Sequence, residues 1–394
     1  MPATRELFYQ HLAQTSSSPL ALEIEHASGM YLMEKSGRKI MDLISGIAVS
    51  NLGHSHPEIK KAVKKQVDRH LHLMVYGEVI QSVQVELAKE LCSLLPSQLS
   101  SVYFTNSGSE ATEGAIKLAK RFTGRNKIIS FRNSYHGSTQ GSLSVCGNEA
   151  LKNSYRPLLP GIKILEFNSV AELGEIDEKT AAVIIEPIQA EAGLIIPEET
   201  YLKKLKEECE ANGTLLILDE IQTGMHRTGP MFAFEESGVI PDILLLGKAF
   251  GGGLPLGAFI SSRKIMSVLS YDPVLGHITT FGGHPLSCAA SLALVKHLKQ
   301  GNYKSEVIRK GRVFQNYLHH PLIREFRGKG LFCALKFDSS DLNQKVIGKC
   351  LERGLLTDWF LFAPDCLRIA PPLIISDDEI KMACSVILES LNEN

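Results

Sequence analysis

Two charged side chains follow two short apolar runs in the middle of the chain. Leu215 to Leu218 ends at Asp219, and Ile243 to Leu246 is followed, one glycine later, by Lys248. Both runs are β-prone and bounded by breakers, so they read as buried strands of an α/β sheet. Residues just past the carboxyl ends of such strands are where these sheets build ligand sites. Lys248 is followed by Ala249, Phe250 and then Gly251, Gly252 and Gly253, a loop in which backbone can closely approach a bound group. A lysine there is able to form a Schiff base with a carbonyl, although a lysine just past a strand is more often simply solvated. The run LLILDE also imitates the magnesium-binding strand of an ATPase. The phosphate loop GxxxxGK[ST] that such a reading requires does not occur, and neither does the GxGxxG fingerprint. An aspartate and a lysine on separate strand ends suit pyridoxal 5'-phosphate (PLP): the lysine holds the aldehyde carbon and the carboxylate pairs with the protonated ring nitrogen.

The elements that must position these groups are legible around them. A strand over Val102 to Phe104 meets a turn at Asn106 to Gly108, and a helix follows with Ala111, Ala115, Ile116 and Ala119 on one side. Ser107 and Glu110 match an S-x-x-E capping box, which by itself explains both as helix starters. The same helix N-terminus also offers free N–H groups and a positive dipole end to an anion. A strand over Ile128 to Phe131 leads to Tyr135, His136 and Gly137, where an aromatic is more often core than cofactor platform. Ala182 to Ile185 is another buried strand, delivering Glu186 and then PIQAEAG. With a helix over Glu199 to Asn212, strands and helices alternate as in a mostly parallel sheet.

Several blocks in order, Gly46 to Pro57, Phe104 to Leu118, Glu186 to Gly193, Thr214 to Gly257, Thr279 to Pro285 and Leu367 to Pro372, resemble the fold-type I, class III aminotransferases. That group contains acetylornithine, ornithine and 4-aminobutyrate aminotransferases, and the resemblance reaches across most of the 394 residues. It implies an α/β fold in three parts. An N-terminal arm (1–45) packs with the small domain, a large PLP-binding domain with a mostly parallel central sheet covers 46–290, and a small α+β domain covers 291–394. The resemblance makes Lys248 the Schiff-base lysine, Asp219 the pyridine-nitrogen partner and Gln222 a contact to the ring hydroxyl. It assigns Ser107, Gly108 and Ser109 to the cofactor phosphate and Tyr135 to stacking on the ring. Thr280 is expected to reach the phosphate of the neighbouring subunit's cofactor, which implies an obligatory homodimer with shared active sites. Glu191 is expected to pair with Arg368, opening for carboxylate substrates and closing for ω-amines.

The implied reaction is ping-pong transfer of an amino group from an ω-amino acid or other primary amine to a 2-oxo acid, with 2-oxoglutarate favoured and pyruvate an alternative. Ser138 departs from the pattern: acetylornithine and 4-aminobutyrate aminotransferases typically carry arginine there, and a serine hydroxyl cannot grip a carboxylate in two places. His284 replaces a frequent asparagine, and Ala190 and Ala192 replace frequent glycines. Rival readings are another PLP reaction on this scaffold (aminomutase, epimerase or decarboxylase) and a non-catalytic nucleotide-binding α/β protein.

Composition agrees with a small-molecule enzyme. With 42 basic against 43 acidic residues the formal net charge is -1, so no strong field favours nucleic acid or an anionic membrane. The 44% hydrophobic content fills a sizeable core. Eight scattered cysteines without a CxxC pair suggest reduced thiols. No signal peptide or membrane span is expected, which points to the cytoplasm. His54 and His56 lack a third clustered ligand, so no metal is expected. Trp359, the only tryptophan, reads as either a channel residue or a core one.

Overall fold

The computed structural model describes residues 4–393, so the first three residues of the expected arm lie outside it. After a short helix, Thr4–His11, come the hairpins expected between Ala21 and Ile44. They are the antiparallel strands β1 (Ile24–Ser28), β2 (Tyr31–Glu34) and β3 (Lys39–Asp42). The central sheet follows, built from β4 (Ser101–Thr105), β5 (Lys127–Phe131), β6 (Ile162–Leu165), β7 (Thr180–Ile185), β8 (Leu215–Asp219), β9 (Ile243–Leu246) and β10 (Gly257–Ser261). Their spatial order is β4-β10-β9-β8-β7-β5-β6. Strands β5 to β9 pair in parallel, whereas β10 runs antiparallel to both β9 and β4. The connection 247–256 is too short for the crossover a parallel pair requires, so the chain turns straight back.

Alternate residues of the central strands enter different cores. Val183, Ile185, Leu216, Leu218, Leu244 and Leu246 belong to one apolar cluster, and Ala182, Ile184, Leu215, Ile217, Ile243 and Leu245 to another. Both faces of the sheet are therefore covered, which is why these strands read as continuous apolar runs. The helix Gly108–Thr123 lies against the second cluster through Ala111, Ala115, Ile116 and Ala119. Its small residues allow a close approach, since a methyl at Gly114 would stand 2.3 Å from the Phe259 ring.

The C-terminal part contains β11 (Glu325–Lys329), β12 (Phe332–Lys336), β13 (Leu355–Leu356), β14 (Asp358–Phe360) and β15 (Ala363–Ile369). Four of these form an antiparallel sheet in the order β11-β12-β15-β14, and β13 instead pairs in parallel with β3. Trp359 stands on the edge strand β14 and is 43% exposed, so it is not a core residue. Arg227 is fully buried between segments: Nη1 donates to Leu331 O (2.9 Å) and Pro371 O (2.6 Å), and Nη2 donates to Asn51 Oδ1 (2.6 Å). Burial lowers its pKa to about 9.

Candidate active site

Five strand ends converge on one cavity of about 190 Å³, lined among others by Ser107, Gly108, Ser109, Tyr135, Glu191, Asp219, Gln222 and Lys248. Eight of the ten expected site residues thus meet where the carboxyl ends of parallel strands should place a ligand. Lys248 sits one residue beyond Gly247, in the left-handed region at φ 45°, a conformation unfavourable for a lysine. Its Nζ donates to Gln222 Oε1 at 2.6 Å. Burial lowers the Lys248 pKa, opposed by the nearby carboxylates Glu191 and Asp219. A lysine with that environment holds its amine closer to the neutral, nucleophilic form.

Asp219, the last residue of β8, is buried and accepts two hydrogen bonds. Its Oδ2 lies 2.7 Å from His136 Nδ1, and its Oδ1 accepts from the Ile221 N–H at 3.0 Å. His136 was visible in the sequence only as the residue after Tyr135, and nothing in its spacing links it to a residue on β8. Its other ring nitrogen, Nε2, is buried without a partner among the described residues. Glu186, at the end of β7, accepts from the Tyr135 N–H (3.1 Å) and the Ala190 N–H (3.0 Å). It thereby braces both the loop carrying Tyr135 and the loop carrying Glu191. Burial pushes its carboxyl up to about 7.

Ser107 is the N-cap of the helix Gly108–Thr123, with its hydroxyl accepting from the Glu110 N–H at 3.2 Å. The reciprocal half of the expected box differs, because Glu110 Oε2 accepts instead from the Asn106 N–H at 2.8 Å. The residues at the start of this helix, Ser107, Gly108 and Ser109, line the cavity, and a helix start there suits a dianion. Gly137 closes the rim: at φ 126°, a methyl there would fall 2.3 Å from Ser109 Oγ. Ser138 is exposed and uses its N–H to reach Ser109 Oγ at 3.2 Å.

These features fit PLP. The cavity joins a buried amine, a buried carboxylate for a ring nitrogen, a flanking aromatic and an anion-binding helix start, and it retains an unpartnered buried polar atom on His136.

Arg368, on β15, joins the site through Glu191, whose Oε2 accepts from Nη2 at 2.8 Å. Glu191 Oε2 also accepts from the Leu361 N–H at 3.0 Å, and its Oε1 from Gln222 Nε2 at 3.3 Å. A chain of contacts therefore runs from Lys248 through Gln222 and Glu191 to Arg368. The guanidinium lies 4.5 Å over the Phe360 ring, and Nη2 also donates to Trp359 O at 3.1 Å. A second carboxylate is present that the sequence did not signal: Asp358 Oδ1 lies 3.2 Å from Arg368 Nε. It sits off the N–H line, so neither atom completes a hydrogen bond, and Arg368 Nη1 has no partner among the described residues. Burial pushes the Asp358 carboxyl up to about 6 against the pull of Arg368.

Thr280 is exposed and does not line the cavity of its own chain. His54 Nε2 lies 2.8 Å from Asp42 Oδ2, and His56 packs edge-on to His297 at 4.7 Å. Among the described residues no group of three or more His, Cys, Asp or Glu is arranged to hold a metal ion.

The family model described as Aminotransferase class-III matches residues 12–391. The chain is 38% identical over 386 residues to an acetylornithine aminotransferase of Methanopyrus kandleri, covering 97% of this chain and 96% of that one. It is 35% identical over 405 residues to a putrescine aminotransferase of Pectobacterium atrosepticum, covering 98% and 85%. Among solved structures, an ornithine aminotransferase from Toxoplasma gondii superposes with a TM-score of 0.91 at 30% identity, covering 100% of this chain and 96% of that one.

Proposed function

The chain belongs to the class III aminotransferases, fold-type I enzymes that carry out PLP-dependent transamination, and from that premise we propose how its own residues divide the work. Lys248 holds the cofactor covalently, Asp219 pairs with its ring nitrogen, Gln222 meets its ring hydroxyl and Tyr135 stacks on the ring. Ser107, Gly108 and Ser109 hold the phosphate. When bound, PLP supplies an aldehyde carbon that condenses with amines and a protonated ring that draws electrons from the reacting carbon. Lys248 Nζ would also serve as the base that takes the proton from the donor's amine-bearing carbon. Asp219, itself held by His136, keeps a negative charge fixed beside the ring nitrogen. Arg368 receives the carboxylate of the 2-oxo acid, and Glu191 closes onto Arg368 when the donor has no carboxylate to offer.

The observation that carries this reading is the continuous contact chain from Lys248 Nζ through Gln222 and Glu191 to Arg368, beginning at 2.6 Å and ending at 2.8 Å. The donor is an ω-amino acid or another primary amine, and the acceptor is 2-oxoglutarate in preference to pyruvate. Lys248→Ala is expected to abolish turnover together with the visible absorbance of the lysine-bound cofactor. Retention of both would sink the assignment. A panel of amines, scored by spectral conversion and then by recovery with 2-oxoglutarate or pyruvate, identifies donor and acceptor.

The division into arm (1–45), large domain (46–290) and small domain (291–394) is part of the same proposal, supported by the pairing of β3 with β13. So is a homodimer in which Thr280 reaches the neighbouring site. The support is two segments with exposed apolar side chains, Leu71 (59%) and Ile80 (90%) in one and Val274 (70%) and Phe281 (53%) in the other, with His72 of the first packed on Phe281 at 4.9 Å. Among the described residues no helix is long and apolar enough to cross a membrane. A cytoplasmic location is proposed, supported by eight free cysteines.

A further inference from the structure

Arg368 lies between two buried carboxylates. The antiparallel register sets Asp358 directly opposite Arg368 across β14 and β15, and the loop after β7 brings Glu191 to the same guanidinium. The side chains of Arg368, Glu191 and Asp358 are 3%, 5% and 20% exposed, so water screens this group of charges poorly. The guanidinium is planar, with Nε and Nη2 on one edge and Nη1 on the far corner. Glu191 binds Nη2 and Asp358 crowds Nε, so both occupy one edge, while Nη1, itself buried, has no partner among the described residues.

We propose that Asp358 is a positioning residue that tunes carboxylate selectivity by competing with Glu191 for Arg368, loosening the Glu191 latch and leaving Nη1 to an incoming carboxylate. The inference rests on the reading that Arg368 receives that carboxylate. Two like charges on one edge repel each other more than either repels an anion at the far corner. Asp358 therefore weakens the Glu191 pair more than it weakens a carboxylate bound at Nη1. An amine without a carboxylate leaves the latch closed, and Asp358 has little influence on it.

The test uses the holoenzyme with Asp358→Asn, which keeps the shape and removes the charge, and follows each half-reaction by the cofactor's absorbance. KM for 2-oxoglutarate and for glutamate is expected to rise roughly 3- to 10-fold, the size of effect a neighbouring buried charge has on an ion pair, with kcat unchanged. For the best carboxylate-free amine of the panel, kcat/KM is expected to stay at the parent value. Adding Glu191→Gln to Asp358→Asn should bring the 2-oxoglutarate KM back toward the parent, which a merely structural role would not do. Should Asp358→Asn fold poorly, Asp358→Ser must show the same selective rise. A fall or no change in the carboxylate KM, or an equal loss for every substrate, overturns the proposal. Arg368→Lys separates the two levels. If it leaves the 2-oxoglutarate KM unmoved, the carboxylate reading fails and takes this inference with it. If it raises that KM while Asp358→Asn does not, only the inference falls.

Discussion

Glu186 shows how one side chain links the site to the solvent pH. Its two backbone hydrogen bonds would suit a carboxylate, but complete burial wins and holds its pKa near 7. In the unfolded chain the same group titrates near its ordinary value of about 4.3. The folded value is raised, so the stability it contributes is fully present below the unfolded pKa and is lost as pH rises through about 7. The whole effect is bounded at roughly 4 kcal/mol. Glu186→Gln cannot ionise. Its thermal midpoint relative to the parent is expected to improve from about pH 4.5 to about pH 7 in scanning calorimetry and then to level off. A difference that stays constant across that range would mean Glu186 keeps an ordinary pKa. At this scale the sequence was informative where chemistry follows chain order: Asp219 and Lys248 each follow an apolar run, and both line the cavity. It was silent on His136 and Asp358, whose partners come from other strands.

Among the elements, the loops after β4 and β5 matter most because they touch each other. Gly137 has φ 126° and no room for a methyl beside Ser109 and Ser142. Gly137→Ala is expected to push the loop off the helix start and weaken PLP retention at least roughly ten-fold, one strained backbone position being worth about 1–3 kcal/mol. Dialysis against decreasing PLP, read by absorbance, measures this, and an unchanged affinity would show that the loop yields without cost. The strands and long helices were readable from their periodicity, with ends displaced by a few residues: the expected helix Glu199 to Asn212 spans Tyr201–Ala211. What could not be read is register. Between Trp359 and Phe360 the pairing of β14 with β15 shifts, and that irregularity sets Asp358 opposite Arg368. The two strands lie side by side in the chain, but a bulge of this kind depends on how they settle together, which periodicity does not encode.

For the molecule as a whole, the exposed apolar side chains Ile80 and Phe281 are a feature a lone chain leaves unexplained. The holoenzyme is expected to sediment at twice the 43.3 kDa chain mass. Phe281→Asp should shift it toward the monomer and remove turnover with it, because Thr280 can then reach no neighbouring site. A fully active monomer in sedimentation velocity would remove the shared-site reading. Fold class was legible from the alternation of strands and helices. The contact across the proposed boundary between large and small domains was not, because it is made by Arg227, one cation inside an otherwise unremarkable run. That guanidinium gives its bonds to two main-chain carbonyls and an amide oxygen, and no carboxylate pairs with it among the described residues. Ions in solution have little to screen in such a junction, and swinging it open would strand three acceptors at once. In the proposed three-part division Arg227 bonds across the boundary to Leu331 O and Pro371 O, so that junction resists opening and favours a route to the cofactor through rearrangement of the rim.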